Sequence, residues 1–309
     1  MIITVTMNPA IDKTVELNCF NHGGLNRINR VTIDAGGKGI NVSKTICSLG
    51  GTSVATGFLG GATGKQILKQ LEGMGIATDF VEVETETRVN TKIIETSGIV
   101  TELNEKGAAV SNEAMQSLLI KLDEYLNKEA ILILSGSIPS GVANTIYKQL
   151  TEYAHEKGAK VFVDADGELF SESLKAKPDI IKPNKVELEK YVGHNFACAE
   201  DVVSAGRKLM EQGIKNVIIS LGEEGAYFID ERHTLYSPGL TVKAHSTVGA
   251  GDAMVAAFAY GMDQGFELEA CAKLAIATSA GAVTTVGTKP PTKDVVDRLL
   301  EQVTMVGFV

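Results

Sequence analysis

Cysteine and histidine are both scarce in this chain, with four Cys and five His among 309 residues. Cys19, Cys47, Cys198 and Cys271 lie far apart and form no Cys-x-x-Cys pair. That excludes a disulfide scaffold and a redox motif, and the scattered histidines give no zinc-ligand spacing. A reduced, cytoplasmic chain is expected. Positive charge is also in deficit, with 29 Lys+Arg against 38 Asp+Glu and a net charge of −9. A broad cationic field is therefore missing, which argues against non-specific binding to nucleic acid or to a membrane surface. Long apolar runs are lacking too. The longest, Ala253–Met262, is bounded by Asp252 and Asp263 and falls short of the ~18–20 residues of a membrane helix. The start of the chain has no basic segment and soon meets Pro9 and Asp12, unlike a signal peptide. The sequon Asn41-Val42-Ser43 is set aside, since nothing else suggests secretion.

Hydrophobic residues make up 44% and charged residues 22% of the chain, the balance of a soluble globular protein. The length allows one large α/β domain or two smaller ones, large enough to fold without disulfides or a structural metal. Glycine is in excess: 32 of 309 residues is about 10%, against a usual ~7%. That indicates tight turns or backbone brought close to a ligand. Short apolar runs at Ile2–Thr6, Ser53–Phe58, Ala130–Leu134, Lys160–Asp164, Asp179–Ile181 and Asn216–Ser220 read as buried strands. Helical patterns such as Ala114–Leu126 and Val142–His155 lie between them. The alternation predicts βαβ units, hence a doubly wound parallel sheet with ligands at the carboxyl ends of its strands. Asn26–Asp34 and Val89–Leu103 alternate polar and apolar residues instead. They predict antiparallel strands of a small outlying sheet, a lid or an oligomer contact.

Two glycine-rich motifs carry the chemistry. Ser246-Thr247-Val248-Gly249-Ala250-Gly251-Asp252 opens a helix of small residues. Gly249, Ala250 and Gly251 there would present unpaired N–H groups and a positive dipole end, an anion site made of backbone. Asp252 in that first turn is either good capping chemistry or a group facing the anion, and the helix end predicts a depressed carboxyl pKa. Ala35-Gly36-Gly37-Lys38-Gly39-Ile40-Asn41-Val42-Ser43 lets backbone approach a ligand and adds the point charge of Lys38. A plain glycine turn accounts for that motif equally well. Gly64-Lys65-Gln66 lacks the hydroxyl residue of a P-loop.

Together these blocks resemble the two signatures of the ribokinase-like carbohydrate kinases, the PfkB family. Thr6-Met7-Asn8-Pro9-Ala10-Ile11-Asp12 and Ser220-Leu221-Gly222-Glu223-Glu224-Gly225-Ala226 agree with it, and the likeness spans essentially the whole chain. It implies an α/β, ribokinase-like fold with a mostly parallel central sheet flanked by helices on both faces and a small β-sheet lid. It divides the chain into a core of 1–10, 35–88 and 107–309 and a lid of 11–34 and 89–106, the lid being a dimer contact.

The resemblance also implies roles. Gly249, Ala250 and Gly251 would hold the transferring phosphoryl group, with Asp252 as base on the acceptor hydroxyl. Asp12 would accept hydrogen bonds from sugar hydroxyls, completed by Gly36, Gly37 and Asn41, although a turn Asp after Pro9 explains Asp12 as well. Arg27, Lys38, Arg88 and Lys92 are the candidate clamp for the substrate's own phosphate, with Ser137 nearby. Arg88, Asn90 and Lys92 share one face of a strand; a solvated charged face is the competing explanation. Lys182, Asn184, Ser220, Gly222 and Gly225 would meet the phosphates of ATP. Asn184 and Glu187 would organise Mg²⁺ through waters, or simply form a capping box. The helix Ala275–Val286 corresponds to an adenine-pocket wall, and a monovalent cation near Ser246 and Val286 occurs in relatives. The implied activity is ATP-dependent phosphorylation of fructose 1-phosphate, or of tagatose 6-phosphate, by a homodimer. A sugar-phosphate sensor that has lost transfer is the alternative from another class, opposed by the retained Asp252, Asn184 and Glu187.

Overall fold

Strands buried on both faces form the centre of the molecule, as in the β-branched run Ile2–Thr6, every residue of which is buried. The computed structural model describes residues 1–107 and 109–308; Ala108 and Val309, which fall within the expected core, lie outside the described residues. In chain order the strands are β1 (Ile2–Thr6), β2 (Ala10–Leu17), β3 (Arg30–Gly36), β4 (Ser53–Gly60), β5 (Ala77–Thr78), β6 (Val81–Val83), β7 (Arg88–Glu95) and β8 (Val100–Leu103). They continue as β9 (Ile131–Ser135), β10 (Lys160–Asp164), β11 (Ile180–Ile181), β12 (Asn216–Ser220), β13 (Ala226–Ile229), β14 (Thr234–Ser237) and β15 (Val306–Gly307). The helices are α1 (Lys38–Ser48), α2 (Gly61–Gly73), α3 (Asn112–Tyr125), α4 (Ile146–Glu156) and α5 (Gly167–Leu174). After them come α6 (Lys185–Val192), α7 (Ala199–Glu211), α8 (Ala250–Asp263), α9 (Leu268–Ala282) and α10 (Lys293–Leu300).

The large sheet runs β15-β14-β13-β12-β11-β10-β9-β1-β4-β5, with β6 also paired to β4. From β12 to β4 neighbouring strands are parallel, and β13, β14 and β15 add an antiparallel edge. Alternation along each strand sorts side chains between two layers. Ile3, Leu132, Leu134, Val161 and Val163 join one core, while Ile2, Ile131, Ile133 and Phe162 join the other. In the second core Phe258 of α8 meets Phe162 edge-on at 6.2 Å and stacks with Phe228 at 6.1 Å. Helices α8 and α9 approach closely, and a Cβ on Gly261 would stand 2.8 Å from Cys271 Sγ.

A second sheet, β3-β2-β7-β8, stands apart from the first. It differs from the sequence expectation in one strand. Of the two explanations of Asp12, the turn after Pro9 is not the one adopted: Asp12 lies inside β2, whose Ile11, Val15 and Leu17 are buried on one face. The expected segment Asn26–Asp34 becomes β3 only from Arg30, and Val89–Leu103 is the hairpin β7–β8. Among the described residues no helix is long and apolar enough to cross a membrane. Phe258→Ala, which empties the aromatic cluster beneath α8, should cost about 3–5 kcal/mol, read as a lowered urea midpoint with an unchanged slope.

Candidate active site

The chain leaves β1 for the second sheet and β4 on one side, then returns to β9 on the other side of β1. Such a reversal opens a crevice at the carboxyl strand ends. The cleft found there measures ≈ 1320 Å³, larger than the ~300–1,000 Å³ of a pocket for one small molecule. Thr6, Ser135, Lys182 and Ser220 enter it from the ends of the central strands, and Asp12, Asn90 and Lys92 from the second sheet. Among the described residues, four buried side-chain atoms of residues that line it have no hydrogen-bond partner: Thr6 Oγ1, Asn41 Oδ1, Asn90 Oδ1 and Thr288 Oγ1. Buried polar atoms are nearly always paired, so these mark where a polar ligand would complete the wall.

On the side of the second sheet, Asp12 accepts a hydrogen bond from Asn90 Nδ2 at 3.3 Å. Burial raises its carboxyl above the usual range, opposed by Asn90 and then by Lys44, Lys92 and Arg88. Gly36 is required beneath it, because a Cβ there would overlap Asp12 Oδ2. Gly37 has φ 107° and begins α1. Arg88 holds the carbonyls of Asn8 at 2.9 Å, Pro9 at 3.4 Å and Glu105 at 2.8 Å, bracing the strand entries. A guanidinium has five N–H donors, so donors remain for an anion in the cleft. Lys92 pairs with Glu102 across the hairpin at 3.1 Å. Ser137 Oγ accepts from Asn8 Nδ2 at 3.4 Å, and the turn before it is pinned by Tyr147 Oη on the Gly136 carbonyl at 3.0 Å.

At the floor, Asp252 in the first turn of α8 accepts from Asn41 Nδ2 at 2.9 Å. Gly249 begins that helix with φ 87° and no side-chain cap, so among the described residues the amides of Gly251 and Asp252 lack partners at a helix start that lines the cleft, and Ala250 N–H makes only a long contact to the Thr247 carbonyl at 3.5 Å. The sequence expectation of a depressed Asp252 pKa is overturned. Burial, helped by Asp164, pushes it up to about 6 against the pull of Lys38, Asn41 and Lys182. Asp164, which ends β10 and was not singled out from the sequence, is the buried partner of both lysines. Its Oδ2 lies 3.3 Å from Lys38 Nζ and its Oδ1 3.2 Å from Lys182 Nζ. Ser135 Oγ donates to it at 3.3 Å. Burial works against its charge, yet Lys182 and Lys38 hold its pKa below the usual value. Lys38 is raised in turn by Asp164. Lys182 Nζ lies 3.4 Å from where a Cβ of Gly251 would be, so its ammonium borders the α8 amides.

At the far end, Asn184 and Glu187 form the capping box that competed with a metal role: each backbone N–H donates to the other's side chain at 2.8 Å. That uses Asn184 Oδ1 and Glu187 Oε2. Glu187 Oε1 remains, a hard oxygen of a residue that lines the cleft beside the Ser220–Gly225 turn. Among the described residues no three His, Cys, Asp or Glu side chains could enclose a metal. A Mg²⁺ that keeps most of its waters fits this sparse oxygen set. Ser220, Gly222 and Gly225 line the same end, where a Cβ on Gly225 would overlap the Ser237 carbonyl. Helix α9 ends at Ala282, earlier than the expected Val286, and contributes Ile276, Ser279 and Ala280 to an apolar wall.

Of the residues singled out in the sequence, the cleft lining omits Arg27, Gly36, Ser246 and Val286. Arg27 sits exposed in the loop between β2 and β3. Gly36 acts from behind Asp12, and Ser246 Oγ accepts from the Val248 amide at 3.2 Å.

The model of the pfkB family carbohydrate kinases matches residues 5–295. A 1-phosphofructokinase of Bacillus subtilis (strain 168) is 35% identical over 303 residues, 98% of either chain. A D-tagatose-1-phosphate kinase of Bacillus licheniformis is 34% identical over 92% of either chain. Phosphofructokinase-2 from Escherichia coli, solved in complex with potassium, superposes with a TM-score of 0.93 at 30% identity, covering 97% of this chain and 98% of its own. With these likenesses along nearly its full length, the chain belongs to the pfkB family of carbohydrate kinases.

Proposed function

We propose that this kinase transfers the γ-phosphoryl group of ATP to the 6-hydroxyl of fructose 1-phosphate, giving fructose 1,6-bisphosphate and ADP: a 1-phosphofructokinase. The observation that carries the reading is Asp252, a buried carboxylate with a pKa near 6 at the foot of a backbone anion site. A base works best with a pKa near the operating pH. Asp252 takes the hydroxyl proton as the sugar oxygen bonds to the γ-phosphorus, and the bond from that phosphorus to the bridging oxygen breaks, leaving with ADP. Phosphoryl transfer passes through a loose transition state, so placing the groups and balancing charge dominate. The amides of Gly249, Ala250 and Gly251, with Lys38 and Lys182, face the transferring group. Asp12, Asn41 and Asn90 hold the sugar hydroxyls over Gly36 and Gly37. Arg88, Lys92 and Ser137 receive the 1-phosphate.

Lys182, Asn184, Ser220, Gly222 and Gly225 border the ATP phosphates. Mg²⁺, held through waters by Asn184 and Glu187, would neutralise charge between those phosphates. A monovalent cation near Ser246 and Val286 is part of the reading, in keeping with the potassium complex of the Escherichia coli enzyme. Four unpaired cysteines suit the cytoplasm.

A second reading takes tagatose phosphates as the acceptor, supported by the D-tagatose-1-phosphate kinase among the relatives. A ketohexofuranose is nearly symmetric end to end, so tagatose 6-phosphate would need little rearrangement. ADP release measured in parallel with fructose 1-phosphate, fructose 6-phosphate, tagatose 6-phosphate and tagatose 1-phosphate should give the highest kcat/KM for fructose 1-phosphate. A higher value for a tagatose phosphate would move the assignment to the second reading, and no turnover with any would favour a sensor.

Asp252→Asn should lower kcat by ~10²–10⁴. In the wild type, kcat/KM should fall as pH drops through about 6, where Asp252 gains its proton. The sign for stability is opposite. The folded carboxyl is raised above its unfolded value of 3.8, so its contribution to stability is lost as pH rises through about 6. Asp252→Asn should therefore melt higher than wild type at pH 8 and equally below pH 4, by calorimetry.

A homodimer is also part of the reading. On the face of the second sheet opposite Asp12, Val31, Ile33 and Leu103 are 43%, 42% and 56% exposed. An apolar sheet face of this kind asks for cover. Ile33→Asp with Leu103→Asp should sediment as a monomer where the wild type sediments as a dimer.

A further inference from the structure

Helix α1 carries a second lysine that the transfer chemistry above does not use. Lys44 is 4% exposed, although lysine is almost never buried without a paired charge. Its ammonium donates to the Ala35 carbonyl at 2.9 Å. Ala35 immediately precedes Gly36 and Gly37, the joint between β3 and α1, and its own N–H donates to Gln70 Oε1 at 2.7 Å. Burial lowers the Lys44 pKa, opposed by Asp34 of β3, Asp12 of β2 and Asp252 of α8, with Lys289 beyond α9 adding to the lowering. Two of those acids, Asp12 and Asp252, are the ones assigned above to the acceptor sugar.

The cations that surround Asp12 are not equivalent. Arg88 is spent largely on the carbonyls of Asn8, Pro9 and Glu105, and Lys92 is paired with the exposed Glu102. Among the described residues Lys44 alone of the three is buried with no side-chain acceptor of its own, and its ammonium sits on the carbonyl of Ala35, which pairs with Ile11 beside Asp12 in the β2–β3 ladder. A charge in such a low-dielectric position acts strongly on its neighbours. We propose that Lys44 is a positioning residue for the acceptor sugar: it seats the β3–α1 joint through Ala35 and supplies the buried positive charge that keeps Asp12 an anion able to accept hydrogen bonds from hydroxyls. This rests on Asp12 being the sugar-binding acid of the proposed reaction.

The direct test needs no turnover. The ¹³C-carboxyl titration of Asp12, assigned with Asp12→Asn, is followed in the ligand-free wild type, in Lys44→Met and in Lys44→Arg. Asn90, Arg88 and Lys92 of β7 remain in all three, so only the α1 charge changes. Asp12 should take up its proton at higher pH in Lys44→Met and return toward the wild-type midpoint in Lys44→Arg. In turnover assays, KM for fructose 1-phosphate at neutral pH should rise roughly tenfold in Lys44→Met, with KM for ATP unchanged and Lys44→Arg recovering most of the loss. An unmoved Asp12 titration in folded Lys44→Met overturns the proposal, as does a shift that Lys44→Arg fails to reverse. If Lys44→Met does not fold, Lys44→Gln carries the same comparison. A shifted titration in a protein whose wild type phosphorylates no ketohexose phosphate would overturn the functional reading and leave the electrostatic role of Lys44 standing.

Discussion

The pairing of Asp164 with Lys38 and Lys182 is the contact on which the rest of the cleft depends. One carboxylate at the end of a central strand holds two ammonium groups from different elements, within 3.3 and 3.2 Å. Burying these charges is costly, and such an arrangement adds little net stability compared with apolar packing. Its value lies in placement. Without the carboxylate, the buried Lys182 and the half-buried Lys38 would repel each other beside the start of α8. With it, Lys38 stays firmly charged and Lys182 is held near Gly251. The same pairing separates the two buried acids. Asp164 has both lysines in contact and stays ionised, whereas Asp252 has one amide hydrogen bond and rises to about 6. Neighbouring acids whose pKa values are pushed apart divide their labour. One is the fixed counter-charge and the other is the group free to exchange a proton.

Much of this geometry follows from the parallel sheet. Ser135, Asp164 and Lys182 stand at or just beyond the carboxyl ends of β9, β10 and β11, which are adjacent. Helices α1 and α8 begin at the same edge. A strand buried along its length can place a charged group only where it ends, so the neighbouring ends of β9, β10 and β11 bring Ser135, Asp164 and Lys182 together.

The central strands were legible in the sequence because burial on both faces leaves a continuous apolar run, and the two glycine motifs because helix starts near anions dispense with side chains. Asp164 was harder to see. It closes the run Lys160–Asp164 as any strand-ending charge would, and only the arrival of Lys38 and Lys182 from distant segments gives it meaning. Strand β2 hid behind Asn8-Pro9, which reads as a turn. The antiparallel edge β13–β15 was missed because its short segments have none of the helices that mark the parallel part. The Asp252 pKa shows the limit of a local rule: a helix N-terminus lowers a carboxyl pKa, but full burial outweighs it, and burial is decided by α1 and β10, far away in sequence. Arg27 shows the converse, a cation that its place beside the expected lid strands made a clamp candidate and that the chain leaves in an exposed loop.

The acidity of the chain takes on a different sense once these positions are known. A protein of net charge −9 that receives two polyanions has to make its positive field local. It does so with few lysines and arginines, and with backbone for the remainder. The two capping arrangements at the cleft illustrate the economy. At α6 the capping box of Asn184 and Glu187 occupies the amides of those two residues, so that end offers a Glu187 oxygen and fewer open amides. At α8 Gly249 supplies no side-chain cap, so the amides of Gly251 and Asp252 stay available while that of Ala250 makes only a long contact to the Thr247 carbonyl at 3.5 Å. In the proposed reaction the end partly closed by its own side chains suits hydrated cation and nucleotide, and the more open end suits the phosphoryl group in transit. Capping chemistry and site chemistry are therefore not rival explanations of the same residues, because how each helix is capped determines which ligand its terminus can receive.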